Sequence, residues 1–223
     1  MSNKQELNVR DVGIPMAPDS DLLRGRVTGL TTTPATAVEL GDDENEWGGY
    51  AAEAIFDNEN FEDPRHEMGV DELCVHAPTF RLLRCQSCDF EDGEVEKLVA
   101  SPMFEGVEFL DLRRNHRSPD DATMAAIVAS GRLSHLRFLS LDSCYQVGDA
   151  TLKAIGAGAM PKLEGLVIGS TDITDEGLMA LADVSKTPAL VVLLGLFIPK
   201  ITEEGVEALA DARPNLRIQL SIG

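Results

Sequence analysis

The 223-residue sequence is poor in aromatic residues, in cysteine and in positive charge. It contains one Trp, two Tyr and four Cys, and 19 basic against 38 acidic side chains give it a net charge of −19. Such a balance disfavours nucleic acid and anionic membranes, because both require cations that displace counterions. Four cysteines without a secretory leader indicate a reducing cytoplasm rather than a disulfide framework.

Long apolar runs and catalytic motifs are also missing from the sequence. No run approaches the roughly 20 apolar residues that a membrane-spanning helix needs. There is no G-x-S-x-G elbow, phosphate-binding loop or H-E-x-x-H motif, and the four histidines lack metal-pair spacing. We therefore expect a cytoplasmic protein that is not an enzyme and has no cofactor.

What the sequence does contain is an internal repeat with a step of 26 to 29 residues. Its copies begin at Phe80, Val107, Leu136, Leu163 and Leu190, with a shortened sixth at Leu216. In the clearest copy, Leu166 and Ile168 have the spacing of a strand with one buried face, and Leu178 and Leu181 follow at helical spacing. A strand and a helix per copy predict a curved solenoid, a fold that serves binding.

Two further residues of that copy have predicted structural roles. Asp175 precedes the helix, where it can accept hydrogen bonds from the free N–H groups of the first turn. Gly177 lies in that turn, where we expect close packing to leave little space for a side chain.

Residues 136–155, 163–182 and 190–210 resemble the cysteine-containing class of leucine-rich repeats, L-x-x-L-x-L-x-x-C-x-x-I-T-D-x-G-L-x-x-L-A. The resemblance covers residues 80–223 and implies an α/β fold. This fold is a right-handed horseshoe with parallel strands on the concave side and helices on the convex side. The resemblance also implies a buried polar ladder at one position of each repeat, formed here by Cys88, Asn115, Cys144 and Thr171. Ile198 departs from that chemistry, so we expect the ladder to end there.

The cysteines admit two interpretations. Cys74, His76, Cys85 and Cys88 could form a zinc site of Cys-x-His plus Cys-x-x-Cys type. The repeat favours the other interpretation, since Cys85 falls where the other copies have buried Leu or Ile, and Cys88 falls on the ladder. We therefore expect both to lie in the core and no metal to be bound.

The N-terminal third departs from the repeat and is strongly acidic, with 17 acidic and five basic side chains in residues 1–72. We predict an N-terminal segment over 1–69, partly disordered and then an atypical capping unit, before a repeat domain over 70–223. A strand is predicted over 36–40 and a helix over 46–56, and residues 70–75 repeat the strand offsets. Asp42, Glu44 and Glu46 alternate as in a calcium loop, but Trp47 occupies the glycine position, so we expect a solvated turn.

The strand residues between the buried positions are predicted to form the binding surface on the concave side. Phe109 and Phe138 should be neighbours on adjacent strands, an aromatic pair ringed by charge that is typical of interface hot spots. Apolar residues continue the surface towards the C-terminus. The other residues assigned to it are Arg84, Asp111, Arg113, Asp142, Val167 and Leu194.

The sequence thus favours a protein-binding module that holds a protein partner through its concave strand face. Two alternatives stay open. The first is an inhibitor or immunity-type protein, for which the charge of −19 suits a basic enzyme or toxin. The second is an adaptor subunit of a larger complex, as in eukaryotic proteins that join similar repeats to an F-box, although the N-terminal third contains no F-box-like helical run. Neither the partner nor the oligomeric state follows from the sequence.

Overall fold

The computed structural model of the chain describes residues 53–57, Cys74, residues 82–86 and residues 90–222. Within them, seven parallel strands form one sheet whose spatial order is the order of the chain. The strands are β1 (Glu53–Asp57), β2 (Leu82–Gln86), β3 (Phe109–Asp111), β4 (Phe138–Ser140), β5 (Gly165–Val167), β6 (Val192–Gly195) and β7 (Arg217–Leu220).

One helix follows each strand from β2 to β6 and returns the chain to the start of the next strand. The helices are α1 (Glu94–Ala100), α2 (Asp121–Ala129), α3 (Asp149–Ala154), α4 (Asp175–Met179) and α5 (Glu203–Ala212). A 3₁₀ turn at Pro102–Gly106 and a π turn at Ile155–Ala159 extend α1 and α3. No helix of the described residues is long and apolar enough to cross a membrane.

The core lies between the sheet and the helices, and one residue of each strand from β2 to β6 defines its central row. Leu83, Leu110, Leu139, Leu166 and Leu193 are paired in register and are at most 1% exposed. Two residues further along, Cys85 joins Leu112, Leu141 and Ile168 in the same core, so its predicted core position is confirmed. The alternation of Leu166 and Ile168 and the helical Leu178 and Leu181 are likewise confirmed.

A ladder of aspartates joins the helices of successive repeats. Asp149 accepts hydrogen bonds from the backbone N–H and the hydroxyl of Thr174, at 2.8 and 2.7 Å, and Asp175 binds Thr202 at the same distances. Asp121 does the same for α3, since it accepts from the N–H groups of Ala150 and Thr151. Each carboxylate therefore stabilises the first turn of the next helix.

This ladder corrects the predicted role of Asp175. The N-cap of α4 is Thr174, whose hydroxyl accepts from the Glu176 N–H, while Asp175 is the first helical residue and binds the next repeat. The prediction for Gly177 is confirmed, because a Cβ there would overlap the carboxylate of Asp149. The glycine of each I-T-x-x-G run thus leaves room for the aspartate of the preceding repeat.

The polar ladder at the ends of the strands has the predicted extent in the described repeats. The amide of Asn115 donates to the carbonyls of Cys85 and Leu112, both at 2.7 Å, and so bridges two repeats. The Cys144 thiol contacts the Leu112 carbonyl at 3.0 Å, and burial raises its pKa to about 12. Thr171 donates only within its own repeat, and the fully buried Ile198 makes the position apolar. Cys88 lies outside the described residues.

The described repeats also share a position at the corner between helix and next strand. This position lies three residues before the start of the next copy. Its carbonyl accepts a backbone N–H from that start, as Leu133 does from Leu136 at 3.0 Å. The five residues at this position are Phe104, Leu133, Met160, Thr187 and Arg213, and all are at most 5% exposed.

At the N-terminal end, the predicted helix over 46–56 is wrong for its last residues. Residues Glu53–Asp57 form β1, which pairs in parallel with β2 at a distance of 29 residues in the chain. This spacing equals the longest step of the repeat, and a short apolar run becomes a strand when a neighbouring strand is available to pair with it. The strand next to β2 on this side is thus β1, which lies within the predicted N-terminal segment. The predicted strand over 36–40 and the acidic turn lie outside the described residues.

Candidate protein-interaction surface

The rings of Phe109 and Phe138 form the centre of the sheet face turned away from the helices, which is the predicted concave face. The two residues pair in register on β3 and β4, and their rings stack with centroids 6.3 Å apart and an interplanar angle of 26°. Gly165 on β5 makes room for this arrangement, because a Cβ there would overlap the Phe138 ring. The predicted aromatic pair is therefore formed.

An arginine at the start of β4 supports the aromatic pair. The guanidinium of Arg137 lies 5.8 Å from the centroid of the Phe109 ring, within cation–π distance. It also forms ion pairs with Glu164 at 2.8 Å and Glu108 at 3.4 Å, which link three successive repeats. These hydrogen bonds, that of Glu164 foremost, raise the pKa of Arg137. Arg137 carries no local signal in the sequence, since its role depends on carboxylates 27 and 29 residues away.

Charged residues flank the aromatic pair on the side where the strands end. Asp111 and Arg113 form an ion pair with an N–O distance of 2.7 Å, and their side chains are 5% and 13% exposed. The carboxylate of Asp142 lies over Gly169, accepts from the Ser143 hydroxyl, and has a pKa raised by burial. The backbone of Arg84 is in register with Asp111, so the predicted charged residues occupy adjacent positions.

The apolar part of the face is largely buried. Phe109 is 9% exposed, Phe138 5%, Leu194 3% and Val167 1%, although none of the four belongs to the core between sheet and helices. Val167 and Leu194 pair in register on β5 and β6 and continue the row of side chains away from Phe138. The face is thus a dense apolar floor with little exposed area, and the charged side chains form its border.

Larger exposed apolar residues lie in the loops that follow the strands, which we call the loop edge. Tyr145 is 55% exposed and stacks on His116 with ring centroids 4.8 Å apart. Leu196 and Phe197, directly after β6, are 46% and 70% exposed. Phe197 was missed from the sequence, where it stands in an apolar run whose register the spacing left open. An alignment of the repeats could have identified Phe197, because the residues aligned with it are Arg114, Ser143 and Ser170, none of which is apolar.

The loop edge also contains a depression of about 560 Å³ at its N-terminal end. It is lined by Phe90, Glu91, Asp92, Arg117 and Gln146. The Cys74 thiol contacts the Lys97 carbonyl of α1 at 3.8 Å, and burial raises the pKa of this thiol. No group of three His, Cys, Asp or Glu side chains is placed to hold a metal in the described part of the chain, and His76 and Cys88 lie outside it.

Comparison with known proteins identifies the fold. The leucine-rich-repeat family profile matches residues 159–182. Rad7 from yeast, in its crystal structure with Elc1, is similar with a TM-score of 0.52 and 21% identity over 71% of this chain. The leucine-rich-repeat protein LegL7 from Legionella pneumophila has a TM-score of 0.47 and 19% identity over 69% of this chain. The chain covers 39% of Rad7 and 52% of LegL7. No curated protein matches the sequence.

The repeat length, the parallel sheet with one helix per step and the match at residues 159–182 all agree. The chain therefore has an α/β leucine-rich-repeat solenoid fold.

Proposed function

We propose that the chain is a non-enzymatic protein-binding module whose partner contacts the predicted concave face around Phe109 and Phe138. The observation that carries this proposal is the stacked ring pair on the face opposite the core. Aromatic side chains and arginine are enriched in the hot spots of protein interfaces, and Arg137 and Arg113 flank the pair here.

The fold and its relatives support binding rather than catalysis. A solenoid presents side chains of several repeats as one extended and rigid surface, which suits a protein partner. Rad7, which shares the fold, is known in a complex with Elc1. The ion pairs of Arg137 span three repeats and hold the surface in one conformation, so that little entropy is lost on binding.

The experiment replaces both rings by leucine. Because Phe109 and Phe138 are at most 9% exposed, a charged residue would destabilise the fold, whereas F109L/F138L keeps an apolar floor and removes the stacked rings. We expect the double variant to retain its circular dichroism spectrum and to capture its partner from an extract of the native organism at least about tenfold less. Quantitative mass spectrometry measures the yield.

The matched control is Met179→Ala on α4, an exposed apolar residue on the helical side of the sheet. It should capture the partner as well as the wild type does. If F109L/F138L also captured the partner as well as the wild type, the binding site would lie away from the two rings.

A second candidate function is inhibition of a basic enzyme or toxin. The observation that favours it is the net charge of −19, which would accelerate association with a basic partner. The rate of association should then fall steeply when the salt concentration rises. Salt-independent association would count against this candidate and leave the protein-binding function intact.

A further inference from the structure

We infer that Leu196 and Phe197 form a second contact site, an exposed apolar anchor that inserts into an apolar pocket with a basic rim on a partner protein. The inference rests on the proposed protein-binding function but not on the ring pair of Phe109 and Phe138. It follows from the backbone conformation of Phe197, from the exposure of both side chains, and from the charge of the repeats around them.

The backbone conformation at Phe197 is unfavourable for a bulky residue. Every repeat from β3 to β6 places a non-glycine residue with positive φ two or three residues after its strand. The four residues are Arg114 (φ 59°), Ser143 (φ 59°), Ser170 (φ 48°) and Phe197 (φ 55°). Asn, Asp and Gly adopt this left-handed conformation at the lowest cost, and an aromatic residue is a poor choice for it. The repeat imposes this conformation at all four positions, so the unexpected feature is the aromatic side chain at position 197.

No contact among the described residues compensates for this choice, because the Phe197 side chain is 70% exposed and outside the core. Leu196 beside it is 46% exposed. A residue that is strained and yet contributes no burial lowers the stability of the isolated chain. Such local violations of folding preference are characteristic of functional sites.

The backbone that carries the two side chains is fixed on both sides. The Leu196 carbonyl accepts from the Ser170 N–H at 2.9 Å, and the backbone of Leu196 lies so close to Gly169 that a Cβ there would fall 2.9 Å from the Leu196 nitrogen. The next residue, Ile198, is fully buried in the core. The anchor is therefore preorganised, which favours its use in binding.

The net charge of the last repeats, which carry the anchor, indicates the chemistry of the partner. Residues 163–222 contain nine acidic and four basic side chains, a net charge of −5. Of the four basic residues, Arg213 is buried and bonded to backbone carbonyls, and the pair of Lys200 with Asp172 cancels one charge of each sign. A pocket rimmed by Lys or Arg would complement this surface, whereas a second copy of the chain, with its charge of −19, would be repelled.

The experiment compares Phe197→Asn with the wild type. Asparagine tolerates the left-handed conformation, so we expect the thermal midpoint to rise. As a probe of the partner chemistry we use an amphipathic 14-residue peptide of Leu and Lys, with its Leu and Glu counterpart for comparison. The wild type should bind the lysine peptide in preference, and F197N should bind it at least about tenfold more weakly, as measured by calorimetry.

The control is Val184→Asn, which removes an apolar side chain of similar exposure (57%) at a position without positive φ. It should change neither the midpoint nor the affinity. Equal affinity of F197N and wild type, or a lower midpoint in F197N, would overturn the inference. So would sedimentation showing that the wild type self-associates and F197N does not.

The ring-pair variant separates the two proposals. If F109L/F138L binds the lysine peptide as the wild type does while F197N loses it, the anchor is supported whatever the fate of the ring pair. If F197N keeps the peptide and F109L/F138L loses its native partner, the ring pair is supported and the anchor is not.

Discussion

The first three described repeats have an apolar residue at the helix-to-strand corner, whereas the last two have a polar or charged residue there. In the repeats that begin at Phe80, Val107 and Leu136, the helix-to-strand corner is apolar, and its residues Phe104, Leu133 and Met160 are at most 1% exposed. In the following repeats the same position holds Thr187 and then Arg213. The strand-end position changes in the other direction, since the polar ladder of Asn115, Cys144 and Thr171 is followed by Ile198.

The polar corner is possible because the two side chains that form it, Thr187 and Arg213, have complementary sizes. Thr187 is smaller than the residues before it, and the Arg213 guanidinium reaches back into the space beside it. There it donates to the Thr187 hydroxyl and carbonyl and to the carbonyls of Leu181 and Leu190. Burial lowers the pKa of Arg213, but four acceptors satisfy the charge. A repeat position is therefore defined by the space and bonds of its neighbours and not by one residue type.

The largest effect is expected when the polar corner loses its cation. Arg213→Ala removes four hydrogen bonds and the guanidinium that joins carbonyls of two repeats, so the free energy of unfolding should fall by about 4 kcal/mol. Urea denaturation measures the loss.

The double variant T187L/R213M converts the polar corner into the apolar kind found at Leu133 and Met160. Because a buried ionic group can be replaced by well-packed apolar residues, we expect T187L/R213M to recover most of the stability lost in Arg213→Ala. A double variant as unstable as Arg213→Ala would mean that the last repeats cannot accept an apolar corner.

A smaller effect is expected at the polar ladder of the first repeats. Asn115→Ala removes two 2.7 Å bonds, one to the preceding repeat and one within its own, and should lower the free energy of unfolding by about 2 kcal/mol. Thr171→Val breaks a single bond within one repeat and should lower it by about 1 kcal/mol. The same urea titration compares them, and equal losses would show that bridging two repeats adds nothing.

An effect as small as that of Thr171→Val is expected at the aspartate ladder, which both regions share. The Asp121 carboxylate is partly buried, which opposes ionisation, but hydrogen bonds from Thr151 and Ala150 outweigh this and hold its pKa below the ordinary value. Asp121→Asn should lower the free energy of unfolding at pH 7 by about 1 kcal/mol.

The depressed pKa of Asp121 predicts how the stability difference between wild type and Asp121→Asn changes with pH. A depressed pKa in the folded state stabilises the protein above the unfolded pKa of about 3.9, and the stabilisation is lost as the pH falls through the lower folded value. The difference between wild type and Asp121→Asn should therefore shrink when denaturation is repeated at about pH 2. Glu207→Gln, on the exposed side of α5, is the control and should match the wild type at both pH values. A difference that persists undiminished at low pH would show that the carboxylate charge is not responsible.

The repeat pattern predicted the parts of the fold that depend on nearby residues. Leu166 and Ile168 alternate within one strand, and Leu178 and Leu181 share one helical face, so their burial follows from local spacing. The in-register pairing of Phe109 and Phe138 followed as well, because each repeat places its strand at the same offset.

The parts that sequence analysis missed depend on partners one repeat away. Asp175 has the position of a helix cap, and only the structure shows that its acceptor oxygens face Thr202 of the next repeat. Arg213 carries no local signal, since its four acceptors lie 23 to 32 residues earlier in the chain. Residues 53–56 could be helical or extended by composition, and β2 decides the matter by pairing with them.

The aspartate ladder has a direction, because each carboxylate belongs to the earlier repeat and each hydroxyl and N–H group it binds belongs to the later one. During synthesis the earlier repeat leaves the ribosome first. A new repeat therefore finds the acceptor for its first helical turn already in position, and the finished part of the protein acts as a template for the part still being made.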